Sequence, residues 1–254
     1  MEADNISERS ERERQAHNEG LQRTGYYSFF KHTRYHYIQR QKLLQKEFFQ
    51  CANGKQVLEL GTNSWSGLLE RNEIKPASLY GINISENELE LGIQKAETTF
   101  LSPRFLLMDA NRLAFKDNTF DVVFGGGILH HLDCILALDE VCRVLKPGGK
   151  IFFIEPLAIN PIAKLVRWLT PRVRTADEQP LRFRDLKAIK NRFHAQFYYE
   201  ELLSVPFGVL SKLLFKDPAN WLMSLVFTID LALDRWIPPL RYMYRHVVIT
   251  GSKK

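Results

Sequence analysis

The sequence predicts an α/β fold, a doubly wound parallel sheet of seven strands with helices on both faces, and three observations carry that reading. Five short, almost continuous apolar runs recur through the middle of the chain, as strands buried on both faces require. Helical stretches separate them, so successive strands run parallel and are joined by right-handed crossovers. The chain has 254 residues, 45% hydrophobic and 25% charged, enough apolar content for one large domain with additions.

The elements follow in order. Residues 1–20 mix both charges with almost no large apolar side chain, and are expected to be disordered or loosely helical. Residues 21–50 change character. Tyr26, Tyr27, Phe29, Phe30, Tyr35 and Tyr37 crowd the start, and Ile38, Leu44 and Phe48 then recur at helical spacing, as in an amphipathic helix. Strands are expected at Gln56–Leu60, Ser78–Ile84, Phe105–Met108, Asp121–Phe124 and Lys150–Ile154, with helices at Glu86–Thr98 and Ile135–Leu145. Lys146-Pro147-Gly148-Gly149 is a breaker cluster, expected to end a helix and turn the chain into the next strand. Beyond Glu155 the pattern loosens. Residues 156–182 hold four of the eleven prolines, so 156–192 reads as an inserted cap. Phe193–Tyr199 and Tyr244–Thr250 supply two more strands, with an apolar helical segment over 200–240 between them. The division is a tail (1–20), an N-terminal helical lid (21–50) and one domain over 51–254.

Composition sets outer limits. Thirty-five basic residues against 29 acidic leave +6, spread along the chain, which suits solvated surface charge or a weak attraction to an anionic partner. Cys51, Cys134 and Cys142 have no CxxC spacing, so neither a disulfide framework nor a metal site is expected. The first twenty residues lack an apolar core of the secretory type. The longest apolar stretch, Trp221–Leu233, contains Asp230 and is too short to span a bilayer. The expectation is a cytoplasmic protein, soluble or peripheral to a membrane.

The run from Gln56 to Gly67 is a strand leading into a small-residue loop and then a helix. In a doubly wound sheet a nucleotide-like ligand binds at that strand end. Gly61 is present, but Asn63 and Trp65 stand where a phosphate loop has its later glycines, so a dinucleotide fits poorly. Glu59 would repel pyrophosphate but can accept a hydrogen bond from a cationic amine. Asn83, at the second strand's end, can bond ribose hydroxyls or simply form a turn.

Val57–Gly61, Gly81–Ser85, Met108-Asp109-Ala110, Phe120–Phe124, Ile128–Leu132 and Arg143–Gly149 occur in that order. Together they resemble class I S-adenosylmethionine (SAM)-dependent methyltransferases of the ubiquinone/menaquinone-methylase and small-molecule type. The resemblance covers residues 55–155 and implies a Rossmann-like sheet of seven strands with SAM as cofactor. It places Glu59 and Gly61 at the methionine end of SAM, Asn83 near the ribose, and Asp109 at the adenine amino group with Ala110 beside the ring, with Thr62, Asn63 and Ile84 also among the cofactor-binding residues. Gly125 and Gly126 would face the sulfonium. Asn63, Trp65 and Asn83 depart from the family pattern.

Methyl transfer from a sulfonium is a direct displacement, so the protein mainly aligns acceptor, methyl and sulfur. A general base helps when the acceptor is a hydroxyl or acidic carbon. His130, His131 and Glu155 are the candidates, against the plainer alternative that they pack or fix a loop. Tyr26, Tyr27 and Tyr35 are candidates for an aromatic lid over substrate and sulfonium, or for a helix packed on the sheet edge. Arg167, Arg172, Arg174 and Arg182 either carry surface charge or clamp an anionic substrate group, with Arg174 the favoured substrate contact. The run from Leu210 to Trp236 suits a greasy acceptor pocket, a homo-oligomer interface or a membrane surface.

The function expected is methyl transfer to O, or to C or N, of a small lipophilic or amphipathic metabolite. The alternatives are a SAM-binding partner without methyl transfer, a cyclase, and an RNA or protein methyltransferase. No appended RNA-binding module is visible, so nucleic acid is not expected as a partner.

Overall fold

Residues 2–19, 30–63, 68, 73–169 and 175–254 are described by the computed structural model of the protein. The first apolar run is strand β1 (Gln56–Leu60), buried at every position after Gln56. It pairs in parallel with β2 (Ser78–Asn83) on one side and β4 (Phe120–Gly126) on the other. With β3 (Arg104–Leu107), β5 (Leu145–Pro156), β6 (Phe193–Glu200) and β7 (His246–Lys253), the sheet order is β3-β2-β1-β4-β5-β7-β6. Among the described strands, β7 alone runs in the opposite direction to the other six. The order reverses between β1 and β4, so the connections leave in opposite directions and a crevice opens at their carboxyl ends.

Helices α2 (Lys31–Phe49) and α3 (Glu86–Glu97) bring Phe49 and Ala96 onto one face of the sheet, against Val57, Val122, Phe124 and Phe152. Helix α4 (Cys134–Val144) and a later helix at Phe183–Arg192 cover the other face, over Leu58, Leu60, Val123, Ile151 and Phe153. Each large apolar side chain buried this way contributes about 1.5–3 kcal/mol. Burial on both faces explains why these strands read as continuous apolar runs.

The breaker cluster behaves differently from its reading as a turn. Helix α4 ends at Val144, and Lys146–Gly149 lies inside β5 as a bulge. Phe120 pairs with Leu145, but Val122 pairs with Lys150. Gly148 has φ +72, and a Cβ at Gly149 would meet the Lys146 carbonyl at 2.9 Å. The glycines serve the bulge, which a strand needs when one chain carries extra residues.

Two features lie outside the sheet layers. Helix α1 (Glu2–Glu19) forms from the first twenty residues and packs near α3. At the other end of the chain, α5 (Pro161–Leu169) and α6 (Phe183–Arg192) precede β6, and α7 (Ser204–Leu214) and α8 (Trp221–Trp236) lie against α2. Gly208 of α7 sits so close to Thr33 of α2 that a Cβ would come within 2.2 Å of its hydroxyl. Asp230, the lone acid of the apolar run, is buried and accepts hydrogen bonds from the amides of Leu202, Leu203 and Ser204, which lead into α7. Tyr37 also donates to it, at 2.5 Å. A charge that looks misplaced in sequence satisfies backbone donors at a helix start, groups that burial would otherwise orphan.

Candidate active site

A cavity of about 820 Å³ opens at the carboxyl ends of the parallel strands. Ligand pockets run from about 300 to 1,000 Å³, so this one has room for a nucleoside cofactor beside a second molecule. Its floor is built from strand ends and the loops that follow them.

Glu59 lines the floor with only 6% of its surface exposed. The Thr62 hydroxyl donates to its carboxylate at 3.1 Å, and the Thr62 amide donates to the Ile82 carbonyl. A carboxylate offers about four acceptor positions, and the Thr62 hydroxyl takes one of them. Gly61 is needed twice over: its φ is +72, and a Cβ would meet Ile128 at 3.0 Å. Asn63, Asn83, Ile84, Gly125 and Gly126 also line the cavity. Asn83 forms the turn as well, since its amide nitrogen donates to the Thr62 carbonyl at 2.9 Å and its oxygen accepts from the Ser85 amide at 3.0 Å.

Three residues expected at the cofactor do not reach the cavity surface. Thr62 is 1% exposed and packs beneath the floor, where its methyl and hydroxyl fill the space left by Gly81. Ala110 is buried in the core. Asp109 lies behind Ser10 and Asn111, which both line the cavity. Its carboxylate accepts from the Ser10 hydroxyl at 2.6 Å and from the amide and side chain of Asn111 at 2.8 and 3.0 Å.

Ser10 belongs to α1, and so do Glu13 and His17 on the same wall. Residues one and two turns apart share a helix face. The helix is held by polar contacts: Asn18 bonds Ser85, Glu86 and Asn87, and Arg12 pairs with Asp177 at 2.7 Å. The first twenty residues therefore contribute a wall to the site.

His130 and His131 lie on a short 3-10 turn after β4, both lining the cavity and both under a tenth exposed. Glu155 is fully buried and is absent from the cavity wall. Its carboxylate accepts from the amides of Ile128 and Leu129 at 3.0 and 2.9 Å and sits 2.7 Å from Nδ1 of His130. Burial pushes its pKa up to about 7, against the pull of the Leu129 and Ile128 amides. Glu155, expected as a catalytic candidate, thus stands behind the His130 turn within hydrogen-bond reach of Nδ1 of His130, and not on the cavity wall. His131 differs. Burial and the neighbouring His130 push its pKa down to about 4, and its Nδ1 lies 3.0 Å from Glu13.

The opposite wall is apolar with cations at its edge. Phe30, Ile38, Phe152, Ile154 and Val205 line it together with Tyr35. Arg34, Arg167 and Arg245 stand among them, and Arg245 lies over the Phe30 ring at 4.2 Å. Arg245 and Arg34 both pair with the buried Glu201, at 2.6 and 3.2 Å. Of the arginines singled out in sequence, Arg167 reaches the cavity and Arg182 caps α6. Trp65, Tyr26, Tyr27, Arg172 and Arg174 lie outside the described residues. Sequence reasoning missed Arg34, Arg245 and Glu201, which no local spacing links.

Residues 58–153 match the family described as a methyltransferase domain. The demethylmenaquinone methyltransferase of Bacillus cereus (strain B4264) is 37% identical over 125 residues, which cover 46% of this chain and 53% of that protein. The chain thus spans about half the length of that curated relative. Among solved structures, the geranyl diphosphate C-methyltransferase of Streptomyces coelicolor aligns at a TM-score of 0.57 and 14% identity, over 85% of this chain and 79% of that one. The (4+2)-cyclase SpnF aligns at 0.55 and 19% identity, over 84% and 80%. The sheet has the Rossmann-like fold of those solved methyltransferases, and residues 58–153 are similar to a methyltransferase domain.

Proposed function

We propose that the protein is a SAM-dependent methyltransferase that methylates O, or C or N, of a small lipophilic or amphipathic metabolite. One observation carries this reading: a single cavity joins the Glu59–Gly61 strand end to His130 and to an apolar wall edged by arginines. SAM supplies a methyl group on a sulfonium, already an activated electrophile. Glu59 accepts from the ammonium of its methionine part, and Asn83 and Ile84 border the ribose. Ser10 and Asn111, backed by Asp109, border the adenine. Gly125 and Gly126 leave room at the sulfonium side. The wall of Phe30, Tyr35, Ile38 and Val205 excludes water and aligns the acceptor. His130, oriented by Glu155, takes the acceptor's proton at Nε2. The names of the relatives, a demethylmenaquinone methyltransferase and a geranyl diphosphate C-methyltransferase, support an acceptor of isoprenoid or quinone character.

The test is transfer of radiolabelled methyl from SAM to lipid and metabolite extracts. Label is expected in the organic phase. Label in RNA or protein would overturn the reading, and so would an absence of transfer despite tight SAM binding, the behaviour of a non-methylating SAM protein or a cyclase.

A lipophilic acceptor also suits contact with a membrane surface. Among the described residues no helix is long and apolar enough to cross a membrane. Helices α7 and α8 nevertheless expose Leu213, Trp221 and Trp236 at 80%, 68% and 75%, while Val205 at the start of α7 lines the cavity. We propose that this face rests on the bilayer. In sedimentation with mixed phosphatidylglycerol and phosphatidylcholine vesicles, L213E with W221E is expected to lower partitioning about tenfold or more, since each inserted side chain contributes about 1.5–3 kcal/mol. Equal partitioning of variant and parent would remove the proposal.

A further inference from the structure

A cluster of ligand-type side chains at the mouth of the cavity has no part in the methyl-transfer scheme. Glu13 and His17 lie one turn apart on α1 and meet His131 of the turn after β4. Nδ1 of His131 is 3.0 Å from Oε2 of Glu13, and Nε2 of His17 is 3.7 Å from the same oxygen. The His17 and His131 rings stand edge to face with centroids 5.2 Å apart. Thr175 closes the group, its hydroxyl donating to Oε1 of Glu13 at 2.7 Å and lying 3.4 Å from Nδ1 of His131.

We propose that Glu13, His17 and His131 form a binding site for a divalent transition-metal ion of the Zn²⁺ class, which ties α1 across the mouth of the cavity. Two imidazoles and a carboxylate are a recurrent donor set for zinc, leaving a fourth position for water or Thr175. Zinc–nitrogen and zinc–oxygen bonds of about 2.0–2.2 Å set tetrahedral ligand atoms roughly 3.3 Å apart. The contacts at 3.0 and 3.7 Å bracket that spacing, and one ligand atom from each of the three residues lies within 4.8 Å of the others. A second trio of His130, His131 and Glu178 shares His131. His130 already has a part in the methyl-transfer scheme, so the first set is the one that stands apart from that scheme.

The site is built by the packing of α1 and does not depend on the methyl-transfer reading. Its consequence is a latch: α1 carries Ser10 against Asp109, so an ion holding Glu13 and His17 to His131 fixes the wall at the proposed adenine end.

The test uses the full chain freed of metal with a chelator. Titration with ZnCl₂ against a chromophoric chelator is expected to show one site, weakened about tenfold or more in His17→Ala and in Glu13→Gln. Co²⁺ in the same site is expected to give the intense visible bands of tetrahedral coordination, and Zn²⁺ is expected to slow proteolytic cleavage of α1 in the parent. The Co²⁺ and proteolysis readouts need no variant, so a misfolded substitution does not shield the idea. Absence of Zn²⁺ binding by the parent, unchanged affinity in both variants, or octahedral-type Co²⁺ bands would each overturn the site.

Discussion

Glu59→Ala is expected to weaken SAM binding about 100-fold and to abolish methyl transfer at ordinary cofactor concentration. Glu59 is a buried carboxylate at the end of the central strand β1, and its neighbour Gly61 holds a left-handed backbone that turns the chain away from it. Hydrogen bonds to charged groups are worth about 1.5–3 kcal/mol, or roughly 10- to 200-fold in affinity, and a site shielded from water favours the upper part of that range. Glu59→Gln keeps the shape and an acceptor for the Thr62 hydroxyl but loses the charge, so it should fall between parent and alanine. Calorimetric titration with S-adenosylhomocysteine, which retains the ammonium, separates cofactor binding from turnover. An alanine variant that binds within about threefold of the parent would show that the methionine end lies elsewhere.

The largest stability effect is expected at Glu201, where Glu201→Gln should cost about 3–5 kcal/mol, because it removes the buried carboxylate that pairs with the Arg245 and Arg34 guanidinium groups. Glu201 is wholly buried, and Arg245, Arg34 and His246 converge on it at 2.6, 3.2 and 3.2 Å. At about 2–4 °C per kcal/mol for a domain of this size, the melting temperature should fall by roughly 6–20 °C. Burial opposes ionisation of Glu201, yet Arg245 and His246, with Arg34, hold its carboxyl well below the usual carboxylate range. The sign follows from that direction. A carboxyl depressed in the folded state contributes stability above its unfolded pKa of about 4.3 and loses it as pH falls towards the folded value. Melting curves of parent and variant should therefore lie far apart at pH 7 and converge in acid below about pH 4. A variant melting within about 2 °C of the parent at pH 7 would show that the cations find other partners. Arg245 also lines the cavity, so the same change loosens the acceptor wall.

Much of the frame was legible in sequence because it is encoded over a few residues at a time. The run Gln56–Leu60 is the observed β1, and the other expected strands overlap β2 to β7. Burial on both faces leaves an apolar run that needs no knowledge of its neighbours. The Lys146–Gly149 cluster shows the limit. Proline and glycine mark a departure from regular backbone, but a turn and a bulge use the same residues, and only the pairing of Phe120 and Val122 across the sheet tells them apart.

The site divides along the same line. Glu59, Gly61 and Asn83 could be placed from their strand ends and Gly125 and Gly126 through the family resemblance, and all five line the cavity. Glu155 could be placed at a strand end, but its partners 25 to 27 residues back draw its carboxylate to the His130 turn and away from the cavity wall. Residues 1–20 have no apolar period, so they read as a tail. Their hold on the site is polar, with Ser10 bonding Asp109 at a separation of 99 residues and Glu13 meeting His131 at 118. The spacing of Glu13 and His17 places them on one helix face, a signal available in sequence only to a reader who already trusts the helix.

By itself, then, the sequence determined the succession of strands and helices, since apolar period is a local property of the chain, and its ordered motifs carried the resemblance to methyltransferases. The tertiary structure decided that Arg34, Arg167 and Arg245 join Phe30, Ile38 and Val205 in lining the cavity, that Glu59 reaches it while Glu155 does not, and that α1 brings Ser10, Glu13 and His17 to it. Those depend on directional hydrogen bonds and ion pairs between residues far apart in the chain. Their strength comes from burial, and only the folded molecule shows which groups are buried together.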